Sequence, residues 1–140
     1  MRYLIDTNVF VRYATDRSLL SQDVMAILRD YDNIICLSVE SMRELVVSFN
    51  NKGLVSKYWK TAKDMLQDIT NKYYIEILPI CQEYMMTYAD LCLNRAQNHK
   101  DPSDHVIISQ AITMKLPLIT SDRKFKFYES QGLNLIFNER

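Results

Sequence analysis

Short apolar runs alternate along this chain with longer stretches of helical period. The runs at Arg2 to Asp6, Ile34 to Leu37, Tyr73 to Leu78, Leu118 to Thr120 and Asn134 to Phe137 have the length and content of strands. Between them, apolar residues recur at helical spacing over Asn8 to Tyr13, Ser21 to Tyr31, Val39 to Asn50, Leu54 to Thr70, Gln82 to Asn94 and Pro102 to Met114. Strands that alternate with helices predict an α/β fold, a short, mostly parallel sheet flanked by helices on both faces. In such sheets, sites form beyond the carboxyl ends of the strands. The pattern shows no internal repeat, no low-complexity stretch and no Gly/Ser/Pro linker.

Composition narrows the class. The 140 residues suffice for one domain with a substantial core and are too few for two ordinary ones, so a single domain over residues 1–140 is expected. With 48% hydrophobic and 24% charged residues, the chain has the balance of a globular protein. Its apolar runs are a few residues long, and Arg2 and Asp6 flank the first, so neither a signal peptide nor a membrane span is expected and the cytoplasm is favoured. Cys36, Cys81 and Cys92 are odd in number, form no C-x-x-C pair and sit in apolar segments, which reads as small core residues rather than disulfides or zinc ligands. Formal net charge is zero, which excludes a field attractive to nucleic acid over the whole surface. Local basic patches at Lys57, Lys60 and Lys63, or at Arg123, Lys124 and Lys126, remain compatible with it.

Candidate chemistry lies where strands end. "YLIDTN" runs apolar to Ile5 and then stops on Asp6, Thr7 and Asn8; "LPLITSDRKF" repeats the layout, delivering Thr120, Ser121 and Asp122 before a helical turn. Asp, Ser, Thr and Asn are also the preferred helix N-caps, so capping alone accounts for either aspartate taken singly. A third carboxylate comes from "HKDPSDHVIISQAI". Asp101 as N-cap and Pro102 as first helical residue make a strong helix start, and Asp104 falls in the first turn, favourable to the helix dipole. Asp104 also shares a stripe with Ile107, Ile108 and Ala111, so it points toward the sheet. An inward carboxylate is costly unless something cationic meets it, and a metal ion would serve. Mg²⁺ or Mn²⁺ prefers oxygen ligands and can act beside a phosphate substrate, which points to phosphodiester hydrolysis. No Gly-rich phosphate loop, H-E-x-x-H or G-x-S-x-G occurs.

Taken in order, "YLIDTNVFV", "LSVESMREL", "DPSDHVIISQAI" and "LITSDRKF" resemble the four acidic motifs of the PIN-domain family, particularly its VapC-type toxins. The resemblance covers essentially the whole chain. It places the family's acidic, metal-holding and catalytic positions on Asp6, Glu44, Asp104 and Asp122, with Asn8, Ser41 and Thr120 as supporting polar residues and Ser38 beside Ser41. It implies a divalent-metal-dependent endoribonuclease using Mg²⁺ or Mn²⁺, an RNA substrate, a homodimer, and a cognate antitoxin of a type II toxin–antitoxin pair. Without the resemblance, Glu44 stands nearly opposite the apolar stripe of Val39, Met42, Val46 and Phe49 and reads as solvated. Glu40 shares that face as ligand or surface charge, and His99 and His105 are candidate general acid–base residues that read rather as surface or capping residues, His105 standing where such relatives often carry arginine. Tyr58, Trp59, Tyr73, Tyr74, Tyr84 and Tyr88 are candidate base-stacking residues, although packing is the stronger reading. Trp59, Met65, Leu66 and Ile69 read as a packing face, part of it a docking site for a partner helix. A receiver-like signalling module or a non-catalytic interaction protein are the alternatives. The first expects adjacent acidic residues after strand one, where this chain has Thr7 and Asn8 after Asp6; the second expects a decayed site, and all four acidic positions are filled.

Overall fold

The computed structural model describes residues 1–139. Five strands, β1 (Arg2–Ile5), β2 (Ile34–Ser38), β3 (Glu76–Leu78), β4 (Leu118–Thr120) and β5 (Leu135–Phe137), form one sheet in the order β3-β2-β1-β4-β5. Every pairing is parallel, with Ile5 opposite Leu37 on one side and Ile119 on the other. The helices are α1 (Thr7–Thr15), α2 (Gln22–Arg29), α3 (Val39–Asn50), α4 (Ala62–Asn71), α5 (Gln82–Asp90) and α6 (Pro102–Met114), with 3-10 segments at Arg17–Leu19, Leu54–Lys57 and Arg123–Gln131. This is the α/β architecture with helices on both faces that the alternation predicts.

Strand residues point alternately to the two faces, and the two cores follow that period. Ile5, Leu37 and Ile119 pack with Val9, Phe10, Val24, Leu45, Met65 and Ile69 from α1 to α4. Their neighbours Leu4, Cys36 and Leu118 face the other way, against Ile107, Ile108 and Ala111 of α6 and Phe125 and Tyr128 beyond β4. Each fully buried Val, Leu, Ile, Phe or Met among them contributes about 1.5–3 kcal/mol. The consequence for function is rigidity: β1, at the centre of the sheet, and its neighbour β4 are sandwiched and hold the residues that follow them in place.

Four local expectations are corrected. The helix read over Leu54 to Thr70 is broken into the Leu54–Lys57 segment and α4, because Thr61 caps α4 by accepting from the Asp64 N–H at 3.0 Å and the Trp59 indole donates to Asp68 at 2.8 Å across the gap. Gly53 allows the turn that precedes it: a Cβ there would stand 2.9 Å from the Ser48 carbonyl oxygen. The strand read from Tyr73 begins only at Glu76, since Tyr74 adopts a left-handed φ of 56° that no strand accommodates. Helix α5 stops at Asp90 rather than Asn94. Cys36 is buried as expected, but Cys81 and Cys92 are exposed, one at the start of α5 and the other in the loop after it. The packing face of Trp59, Met65, Leu66 and Ile69 is present and covered by the protein's own core.

Candidate active site

Strand order reverses direction between β1 and β4, the position where parallel α/β sheets open a crevice at their carboxyl edge. Asp6 follows β1 there and Asp122 follows β4. Helix α3, launched from the end of β2 by Ser38, which accepts from the Glu40 N–H at 3.0 Å, brings Glu44 to the same edge. Helix α6 brings Asp104, its start fixed by Asp101 accepting from the Ser103 N–H at 3.0 Å and by Pro102 in the first turn. Asp6, Glu44, Asp101, Asp104 and Asp122 line one pocket of about 610 Å³ together with Thr7, Asn8 and Arg12.

Each carboxylate is held differently. Asp6, 3% exposed, accepts from the Thr7 N–H at 2.8 Å on Oδ1, and from Asn8 Nδ2 at 3.0 Å and Thr120 Oγ1 at 2.7 Å on Oδ2. It is therefore a cap of α1 and a buried carboxyl group at once. Thr120 Oγ1 also accepts from the Asp122 N–H at 3.1 Å, and Asn8 Oδ1 accepts from the Ser121 N–H at 3.2 Å, so the two supporting residues tie β1's end to β4's. Asp122 accepts from the Lys124 N–H at 2.9 Å. Glu44 accepts from the Thr7 hydroxyl at 2.7 Å, and that hydroxyl lies 2.8 Å from Ser41 Oγ. Asp104 Oδ2 lies 2.9 Å from His99 Nε2.

Ligand-type atoms within 4.8 Å of one another fall into two groups that share Asp104: His99, Asp104 and Asp122, and Glu44, Asp101 and Asp104. Asp6 lines the same pocket but belongs to neither group. It faces the others through charge: burial, followed by the nearby charge of Asp104, pushes its pKa from 3.8 up to about 7, against the hydrogen bonds from Thr120 and Thr7. Burial likewise pushes Glu44 from 4.5 up to about 7, against the Thr7 hydroxyl and with help from the charges of Asp6 and Asp101. Asp104 is raised from 3.8 to about 8, first by burial and then by Asp101, Glu44 and Asp122. Three carboxyl groups that resist ionising beside one another form a site that a divalent cation relieves. Oxygen-rich donors of this kind fit Mg²⁺ or Mn²⁺.

The structure corrects three readings at this site. Glu44 is half-buried rather than solvated, because α3 buries Ser41 and Leu45 while Val39 is 37% exposed, so the helix is turned relative to its apolar stripe. His99 and His105 are buried, at 4% and 2% exposure, rather than surface residues; burial lowers the pKa of both. Glu40 is tied by hydrogen bonds to Arg43 and Ser103, which overcome its burial and hold its carboxyl below the ordinary range. Thr7 and Asp101 join the site although sequence reading gave them no place in it, and His99 joins it although it read as a surface or capping residue. Thr7 carried a signal as the residue between two polar site positions, and Asp101 as the helix cap before Pro102.

A family model described as the PIN domain matches residues 3–129. This chain belongs to the PIN domain family. Among solved structures, the chain is similar to one in VapBC2 from Rickettsia felis bound to a promoter DNA fragment, at TM-score 0.74 and 20% identity over 99% of this chain and 100% of the other. It is also similar to a chain of VapBC-1 from nontypeable Haemophilus influenzae, at 0.70 and 17% with 98% of each chain covered. The DNA-bound VapBC of Salmonella typhimurium gives 0.70 and 16%, again with 98% of each covered. At these identities the likeness establishes the shared PIN fold. Comparison with curated proteins finds no significant match. No helix among the described residues of this PIN domain is long and apolar enough to cross a membrane.

Proposed function

We propose that this PIN-domain protein is a divalent-metal-dependent endoribonuclease that cleaves RNA phosphodiester bonds and serves as the toxin of a type II toxin–antitoxin pair. The observation that carries the nuclease reading is Asp104, raised to about 8 and shared by both groups of ligand-type atoms in the pocket. Asp104 would hold Mg²⁺ or Mn²⁺ together with Asp122 on one side or Glu44 on the other, and Asp6 adds a buried carboxyl group to the same pocket. The ion, when bound, lowers the pKa of water to generate a nucleophile and offsets charge building on the phosphoryl oxygens. The chain's own part is orientation. Thr120 and Asn8 lock Asp6 and the turn before Asp122 together, and Thr7 with Ser41 holds Glu44 against the end of β1. The toxin reading draws on the PIN family and on the VapBC complexes among the structural neighbours. It brings with it a cognate antitoxin that covers the pocket, and a homodimer.

Purified protein incubated with defined tRNA, rRNA and mRNA fragments is expected to cut RNA with Mg²⁺ or Mn²⁺ and to stop on addition of EDTA. Cleavage that persists in EDTA would refute the metal-dependent reading, and no cleavage of any RNA tested would refute the nuclease reading.

A further inference from the structure

Asp104 is held from behind by a chain of buried groups drawn from three parts of the fold. His99, in the loop before α6, presents Nε2 at 2.9 Å from Asp104 Oδ2 and Nδ1 at 2.9 Å from the Tyr128 hydroxyl. Tyr128, fully buried in the 3-10 segment after β4, accepts at that same hydroxyl from the Asn94 N–H at 3.0 Å. The hydroxyl can donate its own proton to His99 Nδ1 at the same time. A neutral imidazole that accepts on Nδ1 carries its hydrogen on Nε2. In that arrangement the hydrogen faces Asp104 Oδ2.

The ring itself has little freedom. It packs against His105 at a centroid distance of 4.9 Å and against Phe125 and Tyr128 at 5.5 Å each. His105 Nε2 lies 3.1 Å from the His99 carbonyl oxygen, and its Nδ1 lies 3.4 Å from the Tyr88 hydroxyl of α5, so the second histidine anchors the backbone of the first. A histidine buried only for packing has no need to end its hydrogen bonds on a carboxylate that also groups with Glu44 and Asp101.

We propose that Tyr128 and His99 form a positioning relay for Asp104: the tyrosine hydroxyl fixes the histidine tautomer, and the Nε2–H holds Oδ2 and so fixes the carboxylate that would hold the cation. The relay rests on the metal-dependent reading above. In the other tautomer, a bare nitrogen lone pair would face an ionised Asp104 and repel it. Outer hydrogen bonds of this kind orient metal-binding carboxylates, and their loss weakens metal affinity by about 10–100-fold.

The test uses the full chain with Mn²⁺ as probe, followed by electron paramagnetic resonance of the free ion, and circular dichroism to verify folding. His99→Leu is expected to weaken Mn²⁺ binding by about 10–100-fold. His99→Gln, whose side-chain amide can donate to Asp104 from a similar reach, is expected to recover most of that affinity, which a purely packing role would not produce. Tyr128→Phe keeps the volume and is expected to weaken binding while nitrogen-15 NMR shows His99 no longer held as the Nε2–H tautomer. Should His99→Leu fail to fold, the glutamine and phenylalanine variants carry the comparison. Parental affinity in His99→Leu and Tyr128→Phe, or an Nδ1–H tautomer in the parent saturated with Mg²⁺, would overturn the relay alone. A parent that binds no Mn²⁺ would overturn the metal reading and the relay with it.

Discussion

Asp104→Asn should reduce RNA cleavage by orders of magnitude and, in metal-free buffer near neutral pH, make the protein more stable than its parent. The substitution keeps the side chain's shape and an acceptor for His99 Nε2–H, and it removes the charge that a hard cation needs. The gain in stability follows from the raised pKa. An Asp104 that titrates at about 8 when folded and at its ordinary 3.8 when unfolded costs the native state free energy at neutral pH, and asparagine does not. The gain should be about 1–4 kcal/mol. Were Asp104 only a first-turn residue of α6, its charge would help the helix by about 0.3–1 kcal/mol. The variant would then be slightly less stable and fully active. Thermal unfolding in EDTA, paired with cleavage rates at saturating Mn²⁺, separates the two: a destabilised Asp104→Asn protein that cuts RNA at the parental rate removes Asp104 from the site.

The second large effect is on pH. Asp6 and Glu44, raised to about 7, and Asp104, raised to about 8, bind protons in the native state that the unfolded chain has already released. Stability therefore falls as pH rises toward those values. His99 and His105 work in the opposite sense on the acid side, because burial lowers both below 6.5 and the unfolded chain takes up protons there first. The carboxyl effect thus stands clear between 6.5, where the unfolded histidines release their protons, and about 8, where Asp104 ionises. In EDTA, the unfolding free energy should drop across that window by on the order of 2–3 kcal/mol. With Mn²⁺ present the drop should shrink or reverse, since the cation displaces the same protons and binds more tightly as they leave. A metal-free stability that is flat or rising across this window would show that the carboxyl groups do not resist ionisation.

Much of this site is visible in the sequence because single residues carry two signals at once. Asp6 and Asp122 end apolar strands and begin helical turns, and Asp104 stands on the apolar face of α6 two residues after Pro102. Glu44 is different. The apolar positions of α3 indicate one buried face, but the helix packs on Ser41 and Leu45, small and large neighbours one turn apart, and this rotates Glu44 toward β1. Side-chain period cannot register a rotation that depends on where β2 releases the helix. His99 and Asp101 depend on the loop between α5 and α6, whose course is set by long-range contacts such as Asn94 with Tyr128 and Cys92 with Gln131. No local pattern encodes those. The broken helix between Leu54 and Thr70 follows the same rule, since a threonine cap and one indole hydrogen bond outweigh continuous helical spacing.

The central claim is that this pocket holds a divalent cation on Asp104. Crystals of the protein grown with Mn²⁺ and measured for anomalous scattering from manganese test it without reference to any substrate. The expected result is a manganese peak within bonding distance of an Asp104 carboxylate oxygen and next to Asp122 or Glu44. Manganese found only elsewhere on the surface, with the pocket carboxylates protonated and hydrogen-bonded to one another, would contradict it.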